Sequence, residues 1–182
     1  MNGNEADINV LEEIEKLKKK TGKLSSVEKI LLSTDGTVTT ILDILNGKTA
    51  IKILSRETKK ADKSLSKLCD IDEGEKVSCR VILMHKNGRP LIYAESFIPD
   101  AILRGDFKTD MLFSDIPIGR VLRKHNIESR REVVRVNIEP GNDMLKDIFK
   151  NETEFLSREY KITSGGKTLA WIKEIFPSDY FK

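Results

Sequence analysis

The stretch that decides the fold is VSCRVILMHKNGRPLIYAESFIP, residues 77–99. Asn and Gly at 87–88 both tolerate positive φ, and this dipeptide between two apolar segments predicts a β-hairpin. The first of the two predicted strands carries Arg80 among mostly apolar neighbours. A charge in a buried strand is costly unless it is paired, so Arg80 requires either another side chain or a ligand as its partner.

Composition places the 182-residue chain among ordinary soluble domains, with 38% hydrophobic and 34% charged residues. The length predicts one domain, residues 1–182, beginning with a helical segment at 1–22. The net charge of +3 is mixed in sign along the chain and identifies no partner by itself. Because no apolar run approaches ~20 residues and the N-terminus lacks a signal-peptide pattern, we expect a cytoplasmic protein without a membrane partner.

The two cysteines and two histidines do not have the spacing of metal ligands. Cys69 and Cys79 lie ten residues apart, and neither His85 nor His125 completes a CxxC or HxxxH pattern. The sequence therefore predicts no metal site. Without a secretion signal, free thiols are favoured over a disulfide.

Hydrophobic periodicity changes from helical to strand spacing near residue 48. Residues 59–74 give the least certain pattern. The order, with helices first and then mostly antiparallel strands with helical insertions, predicts an α+β fold in which helices pack around a mainly antiparallel sheet. Predicted helices are 8–20, 25–32, 37–47, 99–107, 116–125 and 142–150, and predicted strands are 48–58, 75–85, 89–99, 130–140, 155–163 and 167–177.

Three charged residues fall on strand faces that are otherwise apolar: Arg80, Arg158 and Glu174. One interpretation is structural, with Arg80 and Glu174 forming a buried ion pair. The other is a cavity over the sheet, in which an arginine binds a carboxylate and a glutamate contacts a hydroxyl or exchanges a proton. Alternation along the strands does not decide between them.

A second candidate element is DIPIGRVL, residues 115–122. Pro117 precedes a predicted helix whose first backbone N–H groups, at Ile118 and Gly119, would be free to bind an anion. The alternative is a proline-started helix without any ligand.

Taken together, residues 26–177 resemble chorismate lyases, in particular the archaeal branch of that family. The resemblance rests on the order and spacing of several motifs. These are STDGTVTTILDILNG (33–47), CRVILMHKNGRPLIYAESFIP (79–99), IPIGRVL (116–122) and GGKTLAWIKEIFP (165–177).

The resemblance implies a reaction in which chorismate is split into 4-hydroxybenzoate and pyruvate by an elimination that aromatises the ring, with no cofactor and no metal. It also implies that Arg80 and Glu174 are the catalytic pair that holds the aromatic product. Ile118 and Gly119 would contribute backbone groups, and Val38 an apolar contact to the ligand.

Chorismate carries two carboxylates, which suit two cationic side chains. We expect Arg80 to hold the ring carboxylate and Arg158 the enolpyruvyl carboxylate. Arg123, Arg130 and Arg131 are the alternatives to Arg158.

Two other functions remain open. The same fold serves as the ligand-sensing domain of some bacterial transcription regulators, although about 25 residues before the match are too few for a winged helix-turn-helix. The basic segment 120–135 suggests nucleic-acid binding, but it lacks aromatic stacking residues, which favours a solvated basic face. The sequence is compatible with a homodimer.

Overall fold

Six antiparallel strands form one sheet in the order β1-β2-β3-β6-β5-β4. The structure is a computed structural model that describes residues 8–150, 154–178 and 180–181. This arrangement confirms the predicted fold class. The strands are β1 (Ala50–Lys60), β2 (Lys76–Lys86), β3 (Arg89–Pro99), β4 (Arg130–Glu139), β5 (Phe155–Ser164) and β6 (Lys167–Pro177).

Helices cover both faces of this sheet, and those described are short, with none long and apolar enough to cross a membrane. Residues 1–7 of the predicted N-terminal segment 1–22 lie outside the described part of the chain. The α-helices are α1 (Val10–Thr21), α2 (Ser26–Ser33), α3 (Val38–Asn46), α4 (Lys63–Cys69), α5 (Gly105–Phe113), α6 (Ile118–Lys124) and α7 (Asp143–Phe149).

The predicted hairpin is confirmed, since Asn87 and Gly88 both have positive φ, 49° and 82°, between β2 and β3. The uncertain segment 59–74 contains α4, whose first turn is capped by the Asp62 side chain accepting from the Leu65 amide at 2.9 Å.

The predicted helix at 99–107 is wrong in its bounds. Asp100–Ile102 forms a single 3₁₀ turn, after which Leu103 and Arg104 are extended and α5 begins at Gly105. Leu103 is buried in the apolar cluster beneath α5 and α6. The packing of this side chain outweighs the tendency of the segment to continue as one helix.

The two faces of the sheet pack against different helices. On the front face, which we define as the one carrying Ile82, Ala94 and Glu174, helices α1–α3 pack over one half and α5–α6 over the other. On the back face, α4 and α7 each cover a smaller apolar cluster. The front face is therefore the place where two groups of helices meet above the sheet.

Helix α3 offers a matched test of this packing, since Leu42 is fully buried and Ile44, two residues later, is 79% exposed. We expect Leu42→Ala to lower the free energy of unfolding by ~2–5 kcal/mol, because the lost methyl groups leave a cavity. The control Ile44→Ala should change it by less than ~0.5 kcal/mol. Urea denaturation of both variants measures the difference, and equal effects would contradict the orientation of α3.

Candidate functional site

A cavity of about 40 Å³ lies where the first turns of α3 and α6 meet the front face of the sheet. Four of the predicted site residues line it: Val38, Ile118, Gly119 and Glu174. Most of the other lining residues are apolar. The polar remainder consists of Thr37, Thr39, Ser96, Arg131 and Tyr160.

Glu174 is the most strongly constrained group of this cavity. The residue is 6% exposed, and both carboxylate oxygens accept hydrogen bonds: Oε2 from Arg158 Nε at 2.7 Å and Oε1 from the Tyr160 hydroxyl at 3.0 Å. Arg158 also donates from Nη1 to the Thr34 carbonyl at 2.8 Å and lies over the Tyr160 ring at 4.6 Å. Charge-assisted bonds of this kind fix the carboxylate in one orientation.

The surroundings keep Tyr160 and Arg158 protonated. Burial raises the pKa of the Tyr160 hydroxyl well above its usual range, and the Glu174 charge raises it further. For Arg158, burial lowers the pKa, but the charges of Glu174 and Tyr160 and the hydrogen bonds to both together raise it above its usual range. The carboxylate thus lies between one permanent cation and one neutral donor.

Arg80 lies on the same front face as Glu174, but the two side chains are not bonded to each other. Instead its Nη1 donates to the carbonyls of Met111 and Ile116, both at 3.3 Å. Its Nη2 donates to the carbonyls of Ser114 at 2.8 Å and Ile116 at 3.3 Å. The buried Arg80–Glu174 ion pair of the first interpretation therefore does not form.

One donor of Arg80 is unused: its Nε–H is buried and has no hydrogen-bond partner among the described residues. Arg80 does not itself line the cavity, but Ile82, two residues along β2, and Ser96, opposite it on β3, both do. Burial lowers the pKa of the Arg80 guanidinium to about 10, which leaves it charged at neutral pH.

Arg131 is the arginine that lines the cavity directly. It is half-buried, and within the described ranges its guanidinium forms no hydrogen bond or ion pair with a carboxylate. Its Nη2 lies 2.8 Å from the point that a Cβ on Gly119 would occupy, so only glycine lets the guanidinium approach the start of α6 so closely.

The other predicted arginines lie elsewhere. Arg158 forms hydrogen bonds with Glu174 and with the Thr34 carbonyl. Arg123 does not line the cavity, and the side chain of Arg130 is 72% exposed. The sequence indicated Arg131 only as an alternative to Arg158 and gave no role to Tyr160. The available signal for Tyr160 was strand alternation, which places it on the same face as Arg158.

Comparisons with known proteins find a matching family and a similar protein. The model of the family described as "Chorismate pyruvate-lyase Rv2949c-like" matches residues 32–182. A protein of Methanocaldococcus jannaschii named "Putative lyase MJ0807" is 36% identical over 174 residues, which cover 92% of this chain and 86% of that protein.

Solved structures show the same fold at low identity. The effector domain of PhnF from Mycobacterium smegmatis has a TM-score of 0.69 at 11% identity, covering 83% of this chain and 94% of that one. A GntR-family transcriptional regulator from Bacillus cereus has a TM-score of 0.60 at 17% identity, covering 74% and 94%. The fold is shared with regulators, whereas the match over residues 32–182 shows that this chain belongs to the Rv2949c-like chorismate pyruvate-lyase family.

Proposed function

We propose that this protein is a lyase that converts chorismate to 4-hydroxybenzoate and pyruvate. The observation that carries the proposal is Glu174, a buried carboxylate that accepts two hydrogen bonds and faces a mostly apolar cavity. Arg131 lines this cavity, and Arg80 lies opposite Ser96, one of its lining residues. An apolar cavity with a few polar groups suits a ring acid. Family membership supports the reaction class.

Arg80 and Arg131 are the proposed binding groups for the two carboxylates of chorismate. Arg80 has one buried donor without a partner among the described residues, and such a donor carries a desolvation cost of ~1–3 kcal/mol that an acceptor would remove. Arg131 has a guanidinium at the cavity with no carboxylate partner in the part of the chain that the structure describes. We assign the ring carboxylate to Arg80 and the enolpyruvyl carboxylate to Arg131, and Arg158 becomes a positioning residue that holds Glu174.

The proposed reaction depends on the orientation of the substrate more than on an added reagent. The bond between the ring and the enolpyruvyl oxygen breaks, and the ring carbon that bears the hydroxyl loses its hydrogen. That hydrogen is recovered on the methylene carbon of the leaving group, which becomes the methyl group of pyruvate, so the atoms balance. The ring becomes aromatic, while Glu174 accepts a hydrogen bond from the ring hydroxyl and holds it in place.

The size of the cavity requires the helices above it to open. One water needs ~10–15 Å³ of such a cavity, so a volume of 40 Å³ holds roughly three waters. The product 4-hydroxybenzoate, by comparison, has ten non-hydrogen atoms. Ligand entry therefore involves an outward movement of the first turns of α3 or α6, which carry Val38, Ile118 and Gly119. Closure over the bound acid would exclude water.

Incubation of the purified protein with chorismate tests the reaction directly. We expect 4-hydroxybenzoate, measured by chromatography, and pyruvate, measured by a coupled reduction, to appear in equal amounts. Tight binding of 4-hydroxybenzoate without release of pyruvate would instead favour the second candidate function, a ligand-sensing domain, which the fold shared with the PhnF effector domain makes the relevant alternative.

The role of Glu174 is tested by Glu174→Gln, which keeps the shape of the side chain and removes its charge. We expect the turnover rate to fall by at least about 100-fold, because the amide is a weaker acceptor for the ring hydroxyl. The control is Glu159→Gln, since Glu159 is also buried but lies on the back face beside Lys173 at 3.9 Å. Unfolding of both variants is measured alongside, because loss of a buried pair is destabilising. Equal turnover in the two variants would remove Glu174 from the site.

The role of Arg131 is tested by Arg131→Ala. Because its guanidinium has no carboxylate partner in the described structure, we expect a change in unfolding free energy below ~1 kcal/mol but a rise of at least about tenfold in the KM for chorismate. The neighbouring Arg130→Ala is the control, since Arg130 is on the back face of β4 and 72% of its side chain is exposed. Unchanged KM in Arg131→Ala would assign the second carboxylate to another group.

A further inference from the structure

Tyr160 and Glu174 present a donor and an acceptor at one point of the cavity wall. The tyrosine hydroxyl donates to Glu174 Oε1 at 3.0 Å, and both residues line the cavity. The other carboxylate oxygen is occupied by Arg158 Nε. Any polar ligand group that reaches Glu174 from the cavity therefore meets the phenol of Tyr160 as well.

We propose that Tyr160 is a specificity-determining residue which, together with Glu174, selects ring acids bearing a hydroxyl group over those bearing an amine, an ether or hydrogen at the same position. This inference rests on the proposed function and extends it to the choice among related ring acids. The O–H of Tyr160 turns from Glu174 to the oxygen of the ligand hydroxyl. The ligand hydroxyl in turn donates to Glu174 Oε1.

The chemistry of the two groups explains the selectivity. A hydroxyl both donates and accepts, so it satisfies Glu174 and Tyr160 at once. An ether oxygen can accept from Tyr160 but cannot donate to Glu174. An aromatic amine can donate to Glu174 but is a poor acceptor, so Tyr160 keeps its bond to Glu174 and the amine gains one hydrogen bond where a hydroxyl gains two.

The protonation states required by this arrangement agree with the surroundings. Burial and the nearby carboxylate keep the pKa of Tyr160 above its usual range, so its hydroxyl remains a donor at neutral pH. Arg158 Nε lies 2.7 Å from Glu174 Oε2, and this charge-assisted bond holds the carboxylate in place. The pair is thus a fixed acceptor beside a donor with one rotatable hydrogen.

The back face of the sheet provides a matched control. Tyr93 is also buried, and its hydroxyl donates to Glu95 Oε1 at 2.9 Å, but this pair lies away from the cavity. Tyr93→Phe and Tyr160→Phe each remove a tyrosine hydroxyl that donates a hydrogen bond to a glutamate carboxylate. A general loss of stability would therefore affect both variants.

The test is a titration of wild-type protein, Tyr160→Phe and Tyr93→Phe with 4-hydroxybenzoate, 4-methoxybenzoate, 4-aminobenzoate and benzoate. In the wild type and in Tyr93→Phe, we expect 4-hydroxybenzoate to bind at least about tenfold tighter than each of the other three. In Tyr160→Phe, the preference over benzoate should fall by about tenfold, with the affinity for benzoate unchanged. A purely structural role would shift the affinities for all four acids together and leave their ratios unchanged.

The outcomes separate this inference from the proposed function. If 4-hydroxybenzoate binds tightly but its preference over benzoate is the same in Tyr160→Phe as in the wild type, Tyr160 does not set specificity and the proposed function stands. If none of the four acids binds the wild-type protein, the proposed function itself fails. Should Tyr160→Phe not fold, the wild-type series decides alone, since equal binding of 4-aminobenzoate and 4-hydroxybenzoate would overturn the inference.

Discussion

The buried ion pair between Arg158 and Glu174 is the interaction on which the rest of the front face depends. The two side chains lie on neighbouring strands, directly opposite in register, and almost no solvent reaches them. Taking two charges out of water is costly, and the attraction between them offsets that cost only when the remaining donors and acceptors also find partners. The Thr34 carbonyl and the Tyr160 hydroxyl provide such partners, so the network is extensively hydrogen-bonded.

Two arginines connect the sheet to the two groups of helices above it. Arg158 donates to the Thr34 carbonyl at the end of α2. Arg80 donates to the carbonyls of Met111, in the last turn of α5, and of Ser114, which follows that helix. Each arginine thereby satisfies backbone acceptors that a helix end leaves without an intrahelical partner. The cavity lies between the two groups of helices, and Arg158 also binds Glu174, which lines this cavity. Stability and the candidate site are therefore coupled through the same side chains.

Much of the candidate site could be predicted from the sequence because side chains alternate without a register shift along β5 at Arg158 and Tyr160 and along β6 at Glu174. Alternation alone placed Arg158 and Tyr160 on one face of their strand and Glu174 on one face of its own. The motif resemblance added Ile118, Gly119 and Val38, and these line the cavity. The partners of the charges could not be predicted in this way, since alternation assigns a face but not the distance or direction of a long side chain.

The charged residues illustrate this difference. Arg80 and Arg158 look equivalent in the sequence, each an isolated cation in an apolar strand, yet one binds backbone carbonyls and the other a carboxylate. Arg131 lies in a run of basic residues that looks like a solvated face, but Gly119 allows it to reach the cavity. The lengths and rotamers of these side chains, and the helices that happen to lie opposite, determine the outcome.

The sequence by itself determined the α+β class, the β2–β3 hairpin and the strand neighbours with which Arg80, Arg158 and Glu174 share a face, because these follow from local turn chemistry and from a period of two. Only the tertiary structure decided which charges pair, which donor of Arg80 has no partner among the described residues, and which arginine lines the cavity. Those features depend on contacts between residues far apart in the chain, such as Thr34 and Arg158, whose separation in space is set by the packing of helices on the sheet.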